Sequence, residues 1–198
     1  MSRSLPRSFY ARDARELAPL LLNKLLVAHE PTGEVLSARI VEVEAYRGGE
    51  DPASHAYRGM TRRNATMFGP AGHLYVYFTY GMHRCANVVA HERVEGSAVL
   101  LRAAAPVRGI EVMRTRRVKA RRDRDLLSGP AKLCQAFAIT GADDGTDLTK
   151  ARGALRIVDD GVAPPPRPRV TTRIGISPGR GDDYEWRFCV PDDPNVSR

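Results

Sequence analysis

The sequence is poor in cysteine. It contains only Cys85, Cys134 and Cys189, and no Cys-x-x-Cys pair occurs. An odd number of widely spaced cysteines indicates neither a disulfide framework nor a zinc–thiolate site. We therefore predict that all three thiols are reduced.

Long apolar runs are also missing. No stretch approaches the roughly 20 consecutive apolar residues that a membrane-spanning helix needs. The N-terminal segment MSRSLPRSFYARDARE has no hydrophobic core, which a secretory signal would require. The sequence therefore predicts a cytoplasmic protein without a membrane partner.

Several motifs that carry chemistry are absent. HExxH, the P-loop and GxGxxG do not occur, so metalloproteases, nucleotide hydrolases and dinucleotide-binding enzymes lose their usual signatures. GxSxG occurs once, as GISPG at residues 175–179. A nucleophile elbow needs a helix after the serine and an N–H on the next residue, which Pro178 lacks, so we interpret this match as chance. A metal site stays open as an alternative, although no spacing supports it; its ligands would be His55, His73, His83 and Glu44.

Positive charge is in excess. The 198 residues include 31 Lys plus Arg against 23 Asp plus Glu, a net charge of +8, and arginine is far commoner than lysine. Arginine suits bidentate contacts with phosphate, so a polyanionic partner such as DNA, RNA or anionic lipid is one explanation. An arginine-rich proteome from a GC-rich genome explains the charge equally well.

The hydrophobic pattern predicts one mixed α/β domain over residues 1–198. We expect a short helix within Leu17–Val27 that has Pro19 near its start and runs into a strand. A second helix is indicated by Val107, Ile110 and Met113, and a third by Ser128 as a cap with Pro130 in its first turn. Strands are expected at 35–46, in the hairpin HLYVYFTYGMHRCANVVA, in SAVLLRAAAP, and at the end of the chain in TTRIGIS and EWRFCV.

The strand at 35–46 carries the first candidate chemistry. Alternate residues of a strand face the same way, so we expect Glu42, Glu44 and Tyr46 to continue the apolar face of Leu36, Ala38 and Ile40. The face would then turn acidic where the strand ends. A carboxylate there is either a solvated strand end or the working acid of a pocket.

The hairpin contains the second group of candidate functional residues. Tyr75 and Tyr77 share one face, the chain turns around Tyr80–Gly81, and the return strand passes through Asn87. A large aromatic at a hairpin tip has little of its own protein to pack against. Tyr80 is thus a candidate wedge between the base steps of a nucleic acid.

Longer motifs in the sequence indicate a family. RIVEVEAYRGGEDPASHAYRGMTRRNATMFGPAGHLYVYFTYGMHRCANVV, with AVLLRAAAP and SGPAKLCQAFAIT, closely resembles the alkyladenine (3-methyladenine) DNA glycosylase family, over about residues 9–195. The resemblance implies a curved antiparallel sheet with surrounding helices and a protruding β-hairpin that inserts into DNA. It implies a DNA-repair hydrolase of the base excision pathway that flips alkylated or deaminated purines out of double-stranded DNA.

The same resemblance implies roles for individual residues. Glu44 corresponds to the general base that activates water, and Arg102 to the arginine that helps hold that water beside a backbone carbonyl, here that of Ile174. The residues that sandwich the flipped base correspond to Tyr46, His55 and Tyr77. Asn87 corresponds to an asparagine that disfavours purines with a 2-amino group. The intercalating side chain corresponds to Tyr80, with Met82 beside it.

No lysine stands where a Schiff-base nucleophile would be expected, so we predict monofunctional base release that leaves an abasic site. We expect no cofactor and no metal, a monomer, and association with the nucleoid if the source is bacterial. Two rivals remain. One is a damage-binding protein without catalysis, and the other is a metal-dependent nuclease or deaminase, which the missing H-x-E…P-C-x-x-C signature counts against.

Overall fold

The computed structural model describes residues 3–79, 81–91 and 94–197. Within these ranges the chain forms nine strands and four short α-helices, which confirms the predicted mixed α/β class with a large antiparallel sheet. The helices are α1 (Arg7–Tyr10), α2 (Ala14–Leu21), α3 (Ile110–Arg116) and α4 (Pro130–Ala136). The strands are β1 (Arg3–Ser4), β2 (Leu25–His29), β3 (Val35–Arg47), β4 (Leu74–Thr79), β5 (His83–Val89), β6 (Ser97–Arg108), β7 (Leu155–Asp159), β8 (Arg169–Thr171) and β9 (Arg187–Cys189).

The sheet is organised around β3, its longest strand. The hydrogen-bonded order is β1-β7-β2-β3-β6-β5-β4, and β9 joins β3 to β8. On one edge, β2 pairs with the first half of β3, from His29↔Val35 to Leu25↔Arg39, and β9 pairs with residues 42–44 of its second half. On the other edge, β6 follows β3 along almost its whole length. The second half of β3 therefore lies between two strands that are distant in sequence.

A double irregularity interrupts the pairing of β3 with β6. Ile40 pairs with Ala104, Glu42 with Ala103 and Val43 with Leu101, which leaves Val41 as an extra residue on β3 and Arg102 as an extra residue on β6. Such bulges bend a strand and re-aim its side chains.

The bulge overturns one expectation. Leu36, Ala38 and Ile40 lie in the main core, but beyond the bulge the core residues are Val43 and Ala45. The prediction that Glu42, Glu44 and Tyr46 continue the apolar face of the strand is therefore wrong. They lie on the opposite face, because the extra residue shifts the alternation by one.

Two helices were predicted with incorrect beginnings. α2 begins at Ala14 after Asp13, whose side chain accepts a hydrogen bond from the Arg15 N–H at 2.9 Å, so Pro19 lies inside the helix rather than near its start. Val107 belongs to β6 and is half exposed; α3 begins after Gly109, which has a φ of 75° that favours glycine.

The third helix also differs in its cap. α4 follows Gly129, and no side chain caps it. The hydroxyl of Ser128 instead accepts a hydrogen bond from Lys132 Nζ at 3.1 Å. Pro130 occupies the first turn as predicted, where its missing N–H costs nothing.

The end of the chain contains less strand than the sequence indicated. Of the TTRIGIS segment only Thr171 lies in a strand, and EWRFCV contributes only the three residues of β9. β1 and β7, which pair with each other, were not predicted. The loop after β8 carries Ile174 back to the end of β3.

The main core lies on one face of the sheet. α2 packs on β3 and β6, and α4 packs on β5 and β6. Leu74, Val76, Ala86, Val88 and other residues of matching alternation face this core. The residues between them face the other side of the sheet, where the site is built. No helix in the described parts of the chain is long and apolar enough to cross a membrane.

Candidate active site

A cavity of about 280 Å³ opens on the second face of the sheet. Its wall comes from the end of β3, from β4, β5 and β6, and from the loops around His55 and Ile174. This volume is near the lower end of the range for pockets that bury small organic ligands. The lining residues are Tyr46, Ala53, His55, Met67, Tyr75, Tyr77, Thr79, Cys85, Asn87, Leu100, Arg102, Pro130, Ile174, Gly175 and Ile176.

Glu44 is fully buried beside this pocket and touches three of its lining residues. Its Oε1 accepts a hydrogen bond from the Ile174 N–H at 2.8 Å and lies 3.2 Å from Arg102 Nη1. Its Oε2 accepts a hydrogen bond from the Tyr46 hydroxyl at 2.9 Å. Two hydrogen bonds and one ion pair, from three separate segments, therefore fix the orientation of this carboxylate.

Glu42 is also fully buried, but its surroundings are different. Its Oε1 accepts from Arg102 Nε at 2.9 Å, Arg187 Nε at 2.7 Å and the Ser197 hydroxyl at 2.8 Å. Its Oε2 accepts from the Ser197 N–H at 2.6 Å. Burial alone would raise the pKa of Glu42, but the Ser197 N–H and the charges of Arg102 and Arg187 outweigh it and hold the pKa below its ordinary value. Glu42 accepts four hydrogen bonds from protein donors, whereas Glu44 accepts two and contacts three residues that line the pocket, so Glu44 is the candidate for chemistry.

Arg102 links the two carboxylates. It is the extra residue of the β6 bulge, so its side chain reaches Glu42 through Nε and Glu44 through Nη1 while also lining the pocket. Burial disfavours the charged guanidinium, but the charges of Glu44 and Glu42 outweigh this effect and raise the pKa of Arg102. A permanent positive charge therefore lies beside the Glu44 carboxylate.

Aromatic rings form the pocket wall. Tyr75 and Tyr77 stack with their ring centroids 5.6 Å apart and 24° between their planes. The His55 ring meets Tyr77 edge-on at 4.4 Å, and its Nδ1 lies 3.1 Å from the Tyr75 hydroxyl. Burial, with a smaller contribution from Arg63, lowers the pKa of His55 and so favours the uncharged ring. This side of the pocket is thus aromatic, with the His55 ring nearly perpendicular to that of Tyr77.

Asn87 completes the wall from β5. The residue is buried, and its Nδ2 donates to the backbone oxygen of Tyr75 at 3.3 Å. This bond fixes the amide in the cavity wall.

The chain was compared with known proteins. Residues 8–194 match the profile of the family described as methylpurine-DNA glycosylase. The chain belongs to this family. The match covers nearly the whole chain, so it assigns the chain DNA glycosylase activity and a role in DNA repair, with DNA as the substrate.

Relatives agree with the family assignment. A protein of Burkholderia cenocepacia (strain HI2424) is 54% identical over 193 residues, which cover 98% of this chain and 90% of the relative. One from Carboxydothermus hydrogenoformans is 49% identical over 194 residues, covering 98% of each chain. One from Streptomyces avermitilis is 47% identical over 194 residues, covering 98% of this chain and 90% of its own. All three bear the name "Putative 3-methyladenine DNA glycosylase".

Most residues that the family resemblance singled out come together at the pocket. Six line it and Glu44 contacts three of these; the six are Tyr46, His55, Tyr77, Asn87, Arg102 and Ile174. Ile174 meets Glu44 through its N–H, whereas the sequence had drawn attention to its carbonyl. Met82 is 72% exposed and lies off the pocket. Tyr80 lies outside the described residues.

Other sequence candidates do not assemble. Among the described residues no three His, Cys, Asp or Glu side chains are grouped so that they could hold a metal ion. His73 Nδ1 lies 2.9 Å from the backbone oxygen of Pro70, and His73 does not line the pocket. Ser177 of GISPG is followed by a turn rather than a helix, so the match does not form a nucleophile elbow.

Sequence reasoning missed a buried ion pair behind the pocket. The side chains of Asp51 and Arg173 are fully buried and form two hydrogen bonds, at 2.6 and 2.9 Å. The Arg173 guanidinium also lies 4.7 Å from the centroid of the Tyr46 ring and 5.0 Å from that of Trp186. In the sequence, only the position of Arg173 immediately before Ile174 pointed to a role near the pocket. Its partner Asp51 is 122 residues away.

The hydroxyl of Tyr46 supports a prediction for this glycosylase. Burial, the charge of Glu44 and the hydrogen bond to it raise the pKa of Tyr46 well above its ordinary value, so the hydroxyl remains a donor. Tyr46→Phe keeps the ring and removes one hydrogen bond to a charged group, worth roughly 1.5–3 kcal/mol. We expect the single-turnover rate of base release to fall about tenfold while the affinity for DNA changes little. Tyr77→Phe, which removes a hydroxyl that does not bond to Glu44, is the control, and an equal loss in both variants would contradict the prediction.

Proposed function

We propose that this glycosylase flips alkylated or deaminated purines out of double-stranded DNA and hydrolyses their N-glycosidic bond with a water activated by Glu44. The observation that supports the proposal most strongly is the Glu44 carboxylate, buried and held by two hydrogen bonds and an ion pair beside an aromatic pocket. The product would be a free base and an abasic site, without strand cleavage.

The pocket suits a flipped base. A base within a duplex is inaccessible to water, and extruding it costs a few kcal/mol. The rings of Tyr46 and Tyr77 can return part of this cost by stacking on the base, with a cation–π contribution of roughly 0.5–2 kcal/mol when the base is positively charged. Neutral His55, held by the Tyr75 hydroxyl, would border the base from the side.

Glu44 and Arg102 supply the chemistry. Cleavage of the glycosidic bond develops positive charge on the sugar, which a neighbouring carboxylate favours. Glu44 would accept a proton from the attacking water as general base, and Arg102 would orient that water. We propose the Ile174 carbonyl as a second acceptor for the water. The contact between the Ile174 N–H and Glu44 supports this, because it brings the same loop to the carboxylate.

DNA engagement would use the β4–β5 hairpin. These strands pair from Leu74↔Val88 to Thr79↔His83, and the sequence between them includes Tyr80 and Met82. We propose that Tyr80 enters the minor groove and fills the vacated space, with exposed Met82 beside it. We also propose that the enzyme acts as a monomer, in the cytoplasm or at the nucleoid.

The test is the release of free bases from a panel of duplexes. Each duplex would carry 3-methyladenine, 7-methylguanine, hypoxanthine or an etheno-adduct, and the products would be separated by chromatography before and after alkaline cleavage of abasic sites. We expect at least one free base and strand breaks only after alkali. Specific binding without release would favour the damage-binding rival, and loss of release with a chelator would favour the metal-dependent one.

Asn87 would act as a gate against guanine. Guanine-type bases carry a 2-amino group at the minor-groove edge, where adenine and hypoxanthine have none. The Asn87 amide is fixed by the Tyr75 backbone and cannot retreat from that group. In Asn87→Ser, the ratio of the excision rate for guanine-derived lesions to that for hypoxanthine should therefore rise about tenfold. An unchanged ratio of the two excision rates, in a folded variant that binds DNA, would show that Asn87 is not the gate.

A further inference from the structure

Arg173 lies behind the pocket wall rather than in it. Its side chain is fully buried, and its guanidinium lies 4.7 Å from the centroid of the Tyr46 ring. Tyr46 lines the pocket, whereas Arg173 does not. The guanidinium therefore covers the face of Tyr46 that points away from the pocket.

Hydrogen bonds from both Nη atoms hold the guanidinium in place. Nη1 donates to the Ala45 carbonyl at 3.0 Å and to Asp51, and Nη2 donates to Asp51 and to the Gly181 carbonyl at 3.2 Å. Hydrogen bonds of this kind lie in the plane of the guanidinium, which leaves its flat face to the aromatic ring. A fixed cation thus lies against one side of the ring that would stack on the base.

A cation on one face of an aromatic ring changes what the other face attracts. The negative face of a ring draws cations, but a second cation across the ring is repelled by the first. Neutral bases feel little of this repulsion and still gain stacking and apolar burial. Among the other charges, Arg102 and Glu44 are paired with each other, and Arg63 acts on the His55 side of the pocket, where its charge helps to lower the pKa of His55.

We propose that Arg173, acting through Tyr46, is a specificity residue that reduces the advantage of cationic bases and so admits neutral damaged purines. The proposal rests on the proposed function, because it assumes that a flipped base stacks on Tyr46. The substrate class it favours is the neutral one, to which hypoxanthine belongs, over cationic bases such as 7-methylguanine. Arg173 is not a catalytic residue, since it does not reach the pocket.

Asp51 determines in which direction the preference between cationic and neutral bases should change. Its carboxylate partly neutralises Arg173, and it also accepts hydrogen bonds from the backbone N–H groups of Ala53 at 3.0 Å and Arg47 at 3.2 Å. Asp51→Asn keeps the shape and an acceptor oxygen but leaves the Arg173 charge unopposed. The double variant Asp51→Asn/Arg173→Gln removes both charges and retains polar groups of similar size.

The experiment compares single-turnover release of 7-methylguanine and hypoxanthine from otherwise identical duplexes at pH 7. The ratio of the two rates should fall about threefold or more in Asp51→Asn and rise about threefold or more in the double variant, relative to the unmodified protein. Differences in leaving-group chemistry cancel, because each ratio is compared between proteins with the same substrates.

The opposite signs separate this role from a structural one. If Arg173 only positions the Ile174 loop, both variants will slow both substrates alike, and an unchanged ratio in both would overturn the proposal. The new amide of Asp51→Asn faces the N–H of Arg47 or Ala53, so circular dichroism is recorded for both variants, and if either does not fold, the ratio in the other decides alone. If the unmodified protein releases no base from the full panel of four duplexes, the proposed function fails instead, and this outcome is distinct from an unchanged ratio.

Discussion

Glu44→Gln is expected to lower the single-turnover rate of base release by at least about 100-fold, in line with the effect of a general base. The amide cannot accept a proton from water. The fold should tolerate it, because the Tyr46 hydroxyl can turn and accept a hydrogen bond from the new amide nitrogen, while the amide oxygen still accepts from Ile174 and faces Arg102. Affinity for a lesion duplex should therefore change little.

The measurement is the amount of free base released with enzyme in excess, alongside a binding titration on the same duplex. Tyr46→Phe is the matched control, since it disturbs the same oxygen of Glu44 but leaves a carboxylate. Its loss should be much smaller than that of Glu44→Gln. Release by Glu44→Gln near the unmodified rate would remove Glu44 as the base.

Glu42→Gln, two residues earlier, is expected to lower the free energy of unfolding by about 3–5 kcal/mol, the range for breaking a buried ion pair. Both Glu42 oxygens accept from protein donors, and one of these is the Ser197 backbone N–H, which cannot turn and accept. The new amide nitrogen would therefore face a donor in either orientation. Arg102 and Arg187 would also lose their shared negative partner.

The same variant should change the acid stability of the protein. The pKa of Glu42 is lower in the folded protein than its ordinary value of 4.5, so its stabilisation is complete above that value and is lost as the pH falls through the folded pKa. Below pH 4.5, stability should decrease less steeply with falling pH in Glu42→Gln than in the unmodified protein.

Urea unfolding at pH 7 and at several values below 4.5 measures both effects. Glu111→Gln is the control, because Glu111 is a surface residue whose side chain is 81% exposed and pairs with Arg114. Its effect should stay below about 1 kcal/mol. An equally small change for Glu42→Gln would show that the buried cluster does not hold this part of the fold together.

The sequence made much of the fold accessible because its strongest patterns are local. The strand at 35–46, the paired strands around Tyr75 and Asn87, and Pro130 in the first turn of α4 all depend on near neighbours. Most residues that the family motifs singled out line one pocket in the structure. What they do there, including the role of Glu44, stays a prediction.

The remainder depended on contacts between distant segments. The bulge that turns Glu44 away from the core and re-aims Arg102 arises from the register of β3 against β6, which no single strand encodes. Ser197 meets Glu42 across 155 residues, and Arg173 meets Asp51 across 122. Short strands such as β8 and β9, with three residues each, carry too little pattern to be located from sequence.

The chain contains a single tryptophan, and Trp186 shares the Arg173 guanidinium with Tyr46. Indole emission responds to nearby charge and to small changes in packing. If a flipped base stacks on Tyr46, small shifts of the ring and of the Arg173 guanidinium would change the surroundings of the indole. The unlabelled protein therefore carries its own optical reporter, and every change in its emission during a reaction can be assigned to one position behind the pocket.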